Sequence, residues 1–164
     1  MAKAWLASLL SELHRESLKP AGFRKQANTF SRDRGAYVER FHFQGSSRSS
    51  WGETLFYLNV GVEFAEFGPA EQNWVCFRWT HWADRVAQLV AGAPDDWRCG
   101  EATDRAALKA QLACLVSSAS EQIAVRLPEL RAAYLARVAR RSLQASVAPR
   151  GAADGGGVEA FREV

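Results

Sequence analysis

The stretch SSRSSWGETLFYLNVGVEF (residues 46–64) passes from a serine-rich loop into a hydrophobic strand within the step Trp51-Gly52. Successive side chains of a strand point to opposite faces of a sheet. The pattern therefore predicts that the strand Thr54–Phe64 buries one face against helices and turns a polar-aromatic face outward. The buried face carries Phe56, Leu58, Val60, Val62 and Phe64, and the outer face carries Leu55, Tyr57, Asn59, Gly61 and Glu63.

Three further strands are expected beside this one. Two strands over 28–32 and 36–44 are joined by a turn at 33–35, and the segment 74–79 (WVCFRW) is rich in β-forming residues. Alternation along the strand 36–44 places Tyr37, Glu39, Phe41 and Phe43 on the inner face and Arg40, His42 and Gln44 on the outer face.

Helical patterns occupy most of the remaining chain. Apolar residues recur at helical spacing in the first segment, and Pro20 stops that helix. We expect helices over 4–19, over 80–91, from Thr103 onward, and from Pro128 to about Val147. The predicted fold class is α+β, with an N-terminal helix, a four-stranded antiparallel meander sheet and three helices packed on one sheet face.

The bulk composition indicates a single globular domain. The chain has 164 residues, of which 48% are hydrophobic and 24% are charged, and these values are typical of a protein with its own core. We expect residues 1–147 to form one α+β domain. Residues 148–164 are rich in glycine and have little to bury, so we expect a flexible C-terminal tail there.

The cysteines and the N-terminus bear on the compartment. Cys76, Cys99 and Cys114 form no Cys-x-x-Cys pair, and their odd number argues against a disulfide framework and for a reducing cytoplasm. The apolar run at the N-terminus is short and interrupted by Glu12, unlike a signal peptide. No segment approaches the roughly 18 apolar residues of a membrane span, so we expect no membrane partner.

The positive charge is concentrated late in the chain. Residues 126–150 carry six arginines against Glu129 alone, although the net charge of the whole chain is only +3. Arg137, Arg140 and Arg141 fall at helical spacing and share one face. This basic helix face could contact phosphates or an acidic partner, or it could be a solvated face whose stems cover apolar neighbours.

Known catalytic and metal-binding spacings are missing from the sequence. The three histidines and three cysteines form none of the common zinc-ligand motifs, and no nucleophile elbow is present. Asp84 follows His81 closely, but at a helix start it is expected to complement the helix dipole. We therefore predict no catalytic residues, no metal and no cofactor.

The outer sheet face is the candidate binding surface. It combines charge, hydrogen-bonding groups and aromatic area, a mixture that is enriched at protein contacts. Gly61 is expected to leave a dip that another backbone could approach. The alternatives are an ordinary solvated face or a face covered by the C-terminal helix. Trp51 is either the rim of the site or a plug at the end of the core. The candidate residues are Arg40, His42, Trp51, Tyr57, Asn59, Trp74 and Arg78.

Short motifs in a fixed order resemble a bacterial family known only as domain-of-unknown-function family 4304. They are LKPAGFRKQANTF (18–30) and, after a polar gap, SSWGETLFYLNVGVEF (49–64). The resemblance covers roughly residues 10–82, with looser helical similarity beyond. It implies a shared fold and no catalytic residues, because the family has no established activity.

Three hypotheses for function follow. The first is a cytoplasmic bacterial interaction module, immunity-like or antitoxin-like in role, that binds another protein through the outer face. The second is a single-stranded nucleic-acid binder that combines sheet aromatics with the basic helix face, since such proteins pair stacking platforms with a positive groove. The third is an enzyme with an unrecognised site.

Overall fold

The structure is a computed structural model that describes residues 2–50, 52–70 and 80–147. Of the sequence predictions, the strand over 74–79 and the tail over 148–164 lie outside these ranges. So do the candidate site residues Trp51, Trp74 and Arg78.

An N-terminal helix, α1 (Ala2–Leu13), opens the chain and continues into a π-helical turn, His14–Leu18. The helix ends before Pro20, as the sequence predicts, because proline cannot donate the next backbone hydrogen bond. Its apolar stripe is buried in the core; the stripe consists of Leu6, Leu9, Leu10, Leu13 and Leu18.

The described residues form a sheet of six strands, all paired antiparallel, in the order β1-β2-β3-β4-β5, with β6 also paired to β4. Strand β4 is the centre of this sheet. It pairs with β3 along nearly its whole length, and its other edge is shared by two short strands. The strands are β1 (Arg24–Gln26), β2 (Thr29–Asp33), β3 (Tyr37–Gly45), β4 (Thr54–Phe64), β5 (Trp82–Arg85) and β6 (Trp97–Cys99).

The sequence predicts one helix over residues 80–91, but the structure has a strand and a short helix there. Trp82–Arg85 forms strand β5, and only Val86–Leu89 is helical, as α2. The free edge of β4 needs hydrogen-bonding partners, and this tertiary requirement outweighs the local helix signal. Asp84 therefore lies in a strand and does not complement a helix dipole; its Oδ1 accepts a hydrogen bond from the Arg85 backbone N–H at 2.8 Å.

The last two predicted helices are one continuous helix, α3 (Arg105–Val147), with Pro128 inside it. Asp104 caps its start, because Oδ1 accepts from the backbone N–H groups of Ala106 and Ala107 at 3.0 Å. Proline removes only one backbone hydrogen bond from the helix interior. Ile123 and Leu130, on either side of Pro128, are both buried in the core. This packing stabilises the helix across the proline.

Helices α1 and α3 are joined by charged side chains at their surface. Arg105 donates to both carboxylate oxygens of Glu12, and Lys109 donates to Glu16 at 2.6 Å. The hydrogen bond from Arg105 is the main cause that holds the pKa of Glu12 at about 2, with Lys109 contributing. The pairs fix the register of the two helices across the inner face.

The core lies between the helices and the inner face of the sheet, so the predicted parity of β4 is confirmed. Every inner-face residue of β4 is almost fully buried. Glu39 is buried among the inner-face aromatics of β3, where Arg32 compensates it at 2.5 Å. The core unites Phe56, Leu58, Val60, Val62 and Phe64 of β4, Tyr37, Phe41 and Phe43 of β3, and Leu112, Val116, Ala119 and Ile123 of α3. The α+β class is confirmed.

Candidate functional site: the outer sheet face

Polar side chains gather on the face of the sheet opposite the core. The strand register places His42, Asn59 and Arg85 in one row across three neighbouring strands. We call this group the outer-face cluster; it consists of Arg40, His42 and Gln44 of β3, Tyr57, Asn59 and Glu63 of β4, and Arg85 of β5. Four of its members, Arg40, His42, Tyr57 and Asn59, were predicted as site residues from the sequence.

Asn59 lies at the centre of the cluster and has no exposed surface. Its Nδ2 donates to Gln44 Oε1 at 3.1 Å. Its Oδ1 is buried and finds no hydrogen-bond partner in the part of the chain that the structure describes. Leu55, on the same face, is only 3% exposed. This region is therefore not an ordinary solvated sheet face. The buried side chains of α3 belong to the core on the inner side instead.

Arg85 brings an uncompensated positive charge into the cluster. Its guanidinium carbon lies 4.1 Å from the centre of the Tyr57 ring, which is a cation–π contact. Its Nη1 is buried and makes no hydrogen bond to any described residue. None of the ion pairs formed among the described residues includes Arg85. The side chain is held in place by an aromatic ring and pairs with no carboxylate in the described part of the chain.

Arg40 differs from Arg85 because its charge is paired. Its Nη2 donates to Glu63 on the neighbouring strand, and both side chains are about three-quarters buried, with 28% and 24% exposed. The Nε of Arg40 is nevertheless buried without a partner among the described residues. One side of the cluster is thus electrically neutral, although it keeps an unused donor.

His42 ties the cluster to the next strand. Its Nδ1 and the Thr29 hydroxyl are 2.8 Å apart and share a hydrogen bond between β3 and β2. This contact orients the imidazole ring, and it makes His42 a structural member of the row that also holds Asn59 and Arg85.

The dip expected at Gly61 is filled by the chain itself. A Cβ atom added to Gly61 would lie 2.6 Å from Thr80 Cγ2, which is closer than real contacts allow. Thr80 is buried, and its Oγ1 has no partner among the described residues. Glycine is therefore required here for the close approach of Thr80, and the prediction of an open dip is wrong.

The three arginines of the basic helix face do not form one continuous surface for binding. The Nη2 of Arg137 donates to the backbone carbonyl of His81, and its guanidinium lies 5.7 Å from the Tyr134 ring centre. Arg140 and Arg141 are exposed beyond it on α3. One of the three arginines thus docks α3 onto the body of the protein.

His81 forms a second buried group at the end of β4. Its Nδ1 accepts a hydrogen bond from the Phe64 backbone N–H at 2.9 Å. The rings of Phe64, Phe67 and Tyr134 surround it, the last at 4.8 Å between centroids. Burial lowers the pKa of His81, and this effect outweighs the attraction of Glu63. The neutral imidazole packs among these rings, and its Nε2 is buried without a hydrogen-bond partner among the described residues.

The described residues provide little for covalent or metal chemistry. No group of three or more His, Cys, Asp or Glu side chains within the described ranges could hold a metal ion. Cys99 is buried, and burial raises its pKa to about 11, so its thiol stays protonated. Cys114 is a free cysteine exposed on α3. In the same ranges, no helix is both long and apolar enough to cross a membrane.

Sequence reasoning missed Arg85, because the segment that contains it was assigned to a helix. One signal was available: β4 has a long apolar face typical of a central strand, and a central strand needs a neighbour on both edges. The second edge was already assigned to the predicted strand 74–79, so the sequence WADR (82–85) was not considered as a neighbour of β4.

The fold and the cluster define a class of protein: an α+β domain whose antiparallel sheet packs helices on one face and a polar cluster on the other. A family model described as a domain of unknown function (DUF4304) matches residues 14–124, and the chain belongs to this family. The match includes every residue of the outer-face cluster. No curated protein and no solved structure matches the chain.

Proposed function

We propose that this chain is a protein-interaction module that binds a partner protein through the outer-face cluster. One observation carries the proposal: Asn59 Oδ1, Arg85 Nη1 and Arg40 Nε are all buried on one sheet face without hydrogen-bond partners among the described residues. A buried polar atom without a partner destabilises the free protein by about 1–3 kcal/mol. A partner that displaced the side chains covering these atoms and supplied the missing groups would remove that penalty.

The composition of the cluster also supports protein recognition. Tyrosine and arginine are enriched among the residues that dominate binding energy at protein interfaces. Tyr57 and Arg85 already contact each other, so less side-chain freedom is lost when a partner binds. The cluster thus resembles a prepared contact surface more than a solvated sheet.

A module of this kind suits the neutralisation of another protein in a bacterial cytoplasm, as immunity proteins and antitoxins do. The free cysteines Cys99 and Cys114 fit the reducing compartment that we expect for it. This role and this compartment are part of the proposal.

The single-stranded nucleic-acid alternative has less support. Base stacking needs an open aromatic face, and the guanidinium of Arg85 lies over the Tyr57 ring. A basic groove needs free arginines, and Arg137 is engaged with the His81 carbonyl. The experiment below separates the two functions.

Site-specific photo-crosslinking tests the proposal. A photoreactive residue replaces Tyr57 in one variant and the exposed Glu121 of α3 in a control variant, and both are expressed in the native host. We expect one protein to crosslink at position 57 and not at position 121, with identification by mass spectrometry. Equal crosslinking at both positions, or a crosslinked species that nuclease treatment destroys, would contradict the proposal.

A further inference from the structure

Arg85 differs from three other half-buried arginines of the protein, each of which pairs with a glutamate. Arg32 pairs with Glu39, Arg40 with Glu63 and Arg105 with Glu12; these pairs compensate charge that burial would otherwise make unfavourable. The side chain of Arg85 packs on the Tyr57 ring and forms no ion pair among the described residues, and its Nη1 is shielded from solvent. A partly buried charge of this kind is stabilised when an anion forms an ion pair with it.

We infer that the outer-face cluster is a receptor for a carboxylate of the partner protein, an Asp or Glu side chain that binds Arg85. This inference rests on the proposed function and specifies the chemistry of the partner. The planar guanidinium presents paired N–H donors that match the two oxygens of a carboxylate. The Tyr57 ring holds that plane in position before binding, so the receptor is already organised.

Asn59 distinguishes a peptide carboxylate from a free carboxylate ion. Its unpartnered Oδ1 is an acceptor, and an ionised carboxylate carries no proton to donate to it. It requires an N–H donor close to Arg85 in the same row of the sheet. Because Asn59 has no exposed surface in the free protein, the side chains around it must separate to admit that donor. A peptide that carries Asp or Glu supplies both groups, because each of its residues also brings a backbone N–H.

Nearby charges favour the same assignment. Glu63, the acid of the cluster, is bound by Arg40 and forms no ion pair with Arg85. The nearest acid in sequence, Asp84, accepts from the Arg85 backbone N–H. A carboxylate that arrives at Arg85 therefore gains a full ion pair in a partly desolvated setting, where such pairs are stronger than at a fully exposed surface.

The test is a titration of the full chain with three probes, followed through the Arg85 Nε–Hε resonance in nitrogen-proton NMR spectra. The probes are the blocked tripeptide acetyl-Gly-Glu-Gly-amide, its neutral analogue acetyl-Gly-Gln-Gly-amide, and inorganic phosphate. We expect saturable shifts with the glutamate peptide and affinity about tenfold weaker or worse for the glutamine peptide, because the charge-assisted hydrogen bonds are lost. Phosphate that binds as tightly as the glutamate peptide would overturn the assignment to a peptide.

Variants locate the site. Arg85→Gln should abolish saturable binding, read from the Asn59 side-chain amide, and Arg24→Gln, at an exposed arginine of β1, should leave it unchanged. If Arg85→Gln fails to fold, Tyr57→Leu keeps the arginine, removes its support and should weaken binding several-fold. Unchanged binding in the folded Arg85 or Tyr57 variant would overturn the inference. Crosslinking at position 57 that persists without glutamate-peptide binding would refute the carboxylate receptor and leave the interaction module intact.

Discussion

Val60 and Asn59 are neighbours on β4, and neither side chain has any exposed surface. Val60 joins the apolar core on the inner face, so its burial is favourable. Asn59 is buried equally on the outer face, but one of its polar atoms lacks a partner among the described residues, so its burial is unfavourable. Burial alone therefore does not identify a core position. Positions that violate the usual rules of burial are expected at functional sites.

The largest stability effect is expected on the inner face. Val60→Ala removes two methyl groups from a fully buried position and leaves a cavity, which should lower the free energy of unfolding by about 1–3 kcal/mol. Urea melts monitored by circular dichroism measure the change. The control Arg24→Ala, at an exposed position, should change stability by less than about 0.5 kcal/mol. A smaller loss for Val60→Ala than for Arg24→Ala would break the assignment of faces.

Gly61→Ala should lower the free energy of unfolding somewhat less than Val60→Ala, through a steric clash on the outer face of the sheet. The added Cβ would press on Thr80 Cγ2, and overpacking of this kind lowers stability by about 1–2 kcal/mol. Thr80→Ser removes that methyl group, so the double variant should recover part of the loss in a double-mutant cycle. Strict additivity of the two substitutions would show that Thr80 does not fill the space above Gly61.

Acid should lower the free energy of unfolding through His81. Burial lowers the pKa of this imidazole in the folded state, so below about pH 6.5 the unfolded chain binds a proton that the folded chain resists. Stability is therefore full above that pH and falls as the pH drops toward the folded pKa, with a slope of at most about 1.4 kcal/mol per pH unit for one group. Urea melts at about pH 7 and at about pH 5, on either side of the usual histidine pKa, measure this slope, and His81→Gln should flatten it. An unchanged slope in that variant would assign the acid sensitivity to other groups.

The smallest stability change is expected for Asn59→Leu. The substitution loses one hydrogen bond to Gln44 but also removes the unpartnered Oδ1, so the net change should stay below about 1 kcal/mol. Partner capture, measured by crosslinking from position 57, should nevertheless be abolished. A large fall in the melting temperature with capture intact would make Asn59 a structural residue and would remove the contrast with Val60.

The sequence predicts well whatever depends on local alternation. Period-two patterning in β3 and β4 is sufficient to separate the two faces, because each side chain position follows from its neighbours. The prediction that a new helix begins at Pro128 was wrong. The expectation that proline interrupts a helix considers only local backbone bonding, whereas the burial of Leu130 is a tertiary effect. Arg85 was missed for a similar reason: the second edge of β4 was assigned to the segment 74–79 and residues 80–91 to a helix, whereas the pairing of 82–85 with β4 depends on the assembled sheet.

The contacts between α1 and α3 have a consequence for synthesis of the protein. Arg105 and Glu12 are 93 residues apart, so the layer that covers the inner face is completed late. Roughly 60 residues separate Phe64 from Ile123, and translation at about 5–20 residues per second needs about 3–12 seconds to make them. During that interval the aromatic and aliphatic side chains of β4 have been synthesised, but the part of α3 that will cover them has not. We expect the nascent chain to depend on chaperones during this interval and to fold only when most of α3 has emerged.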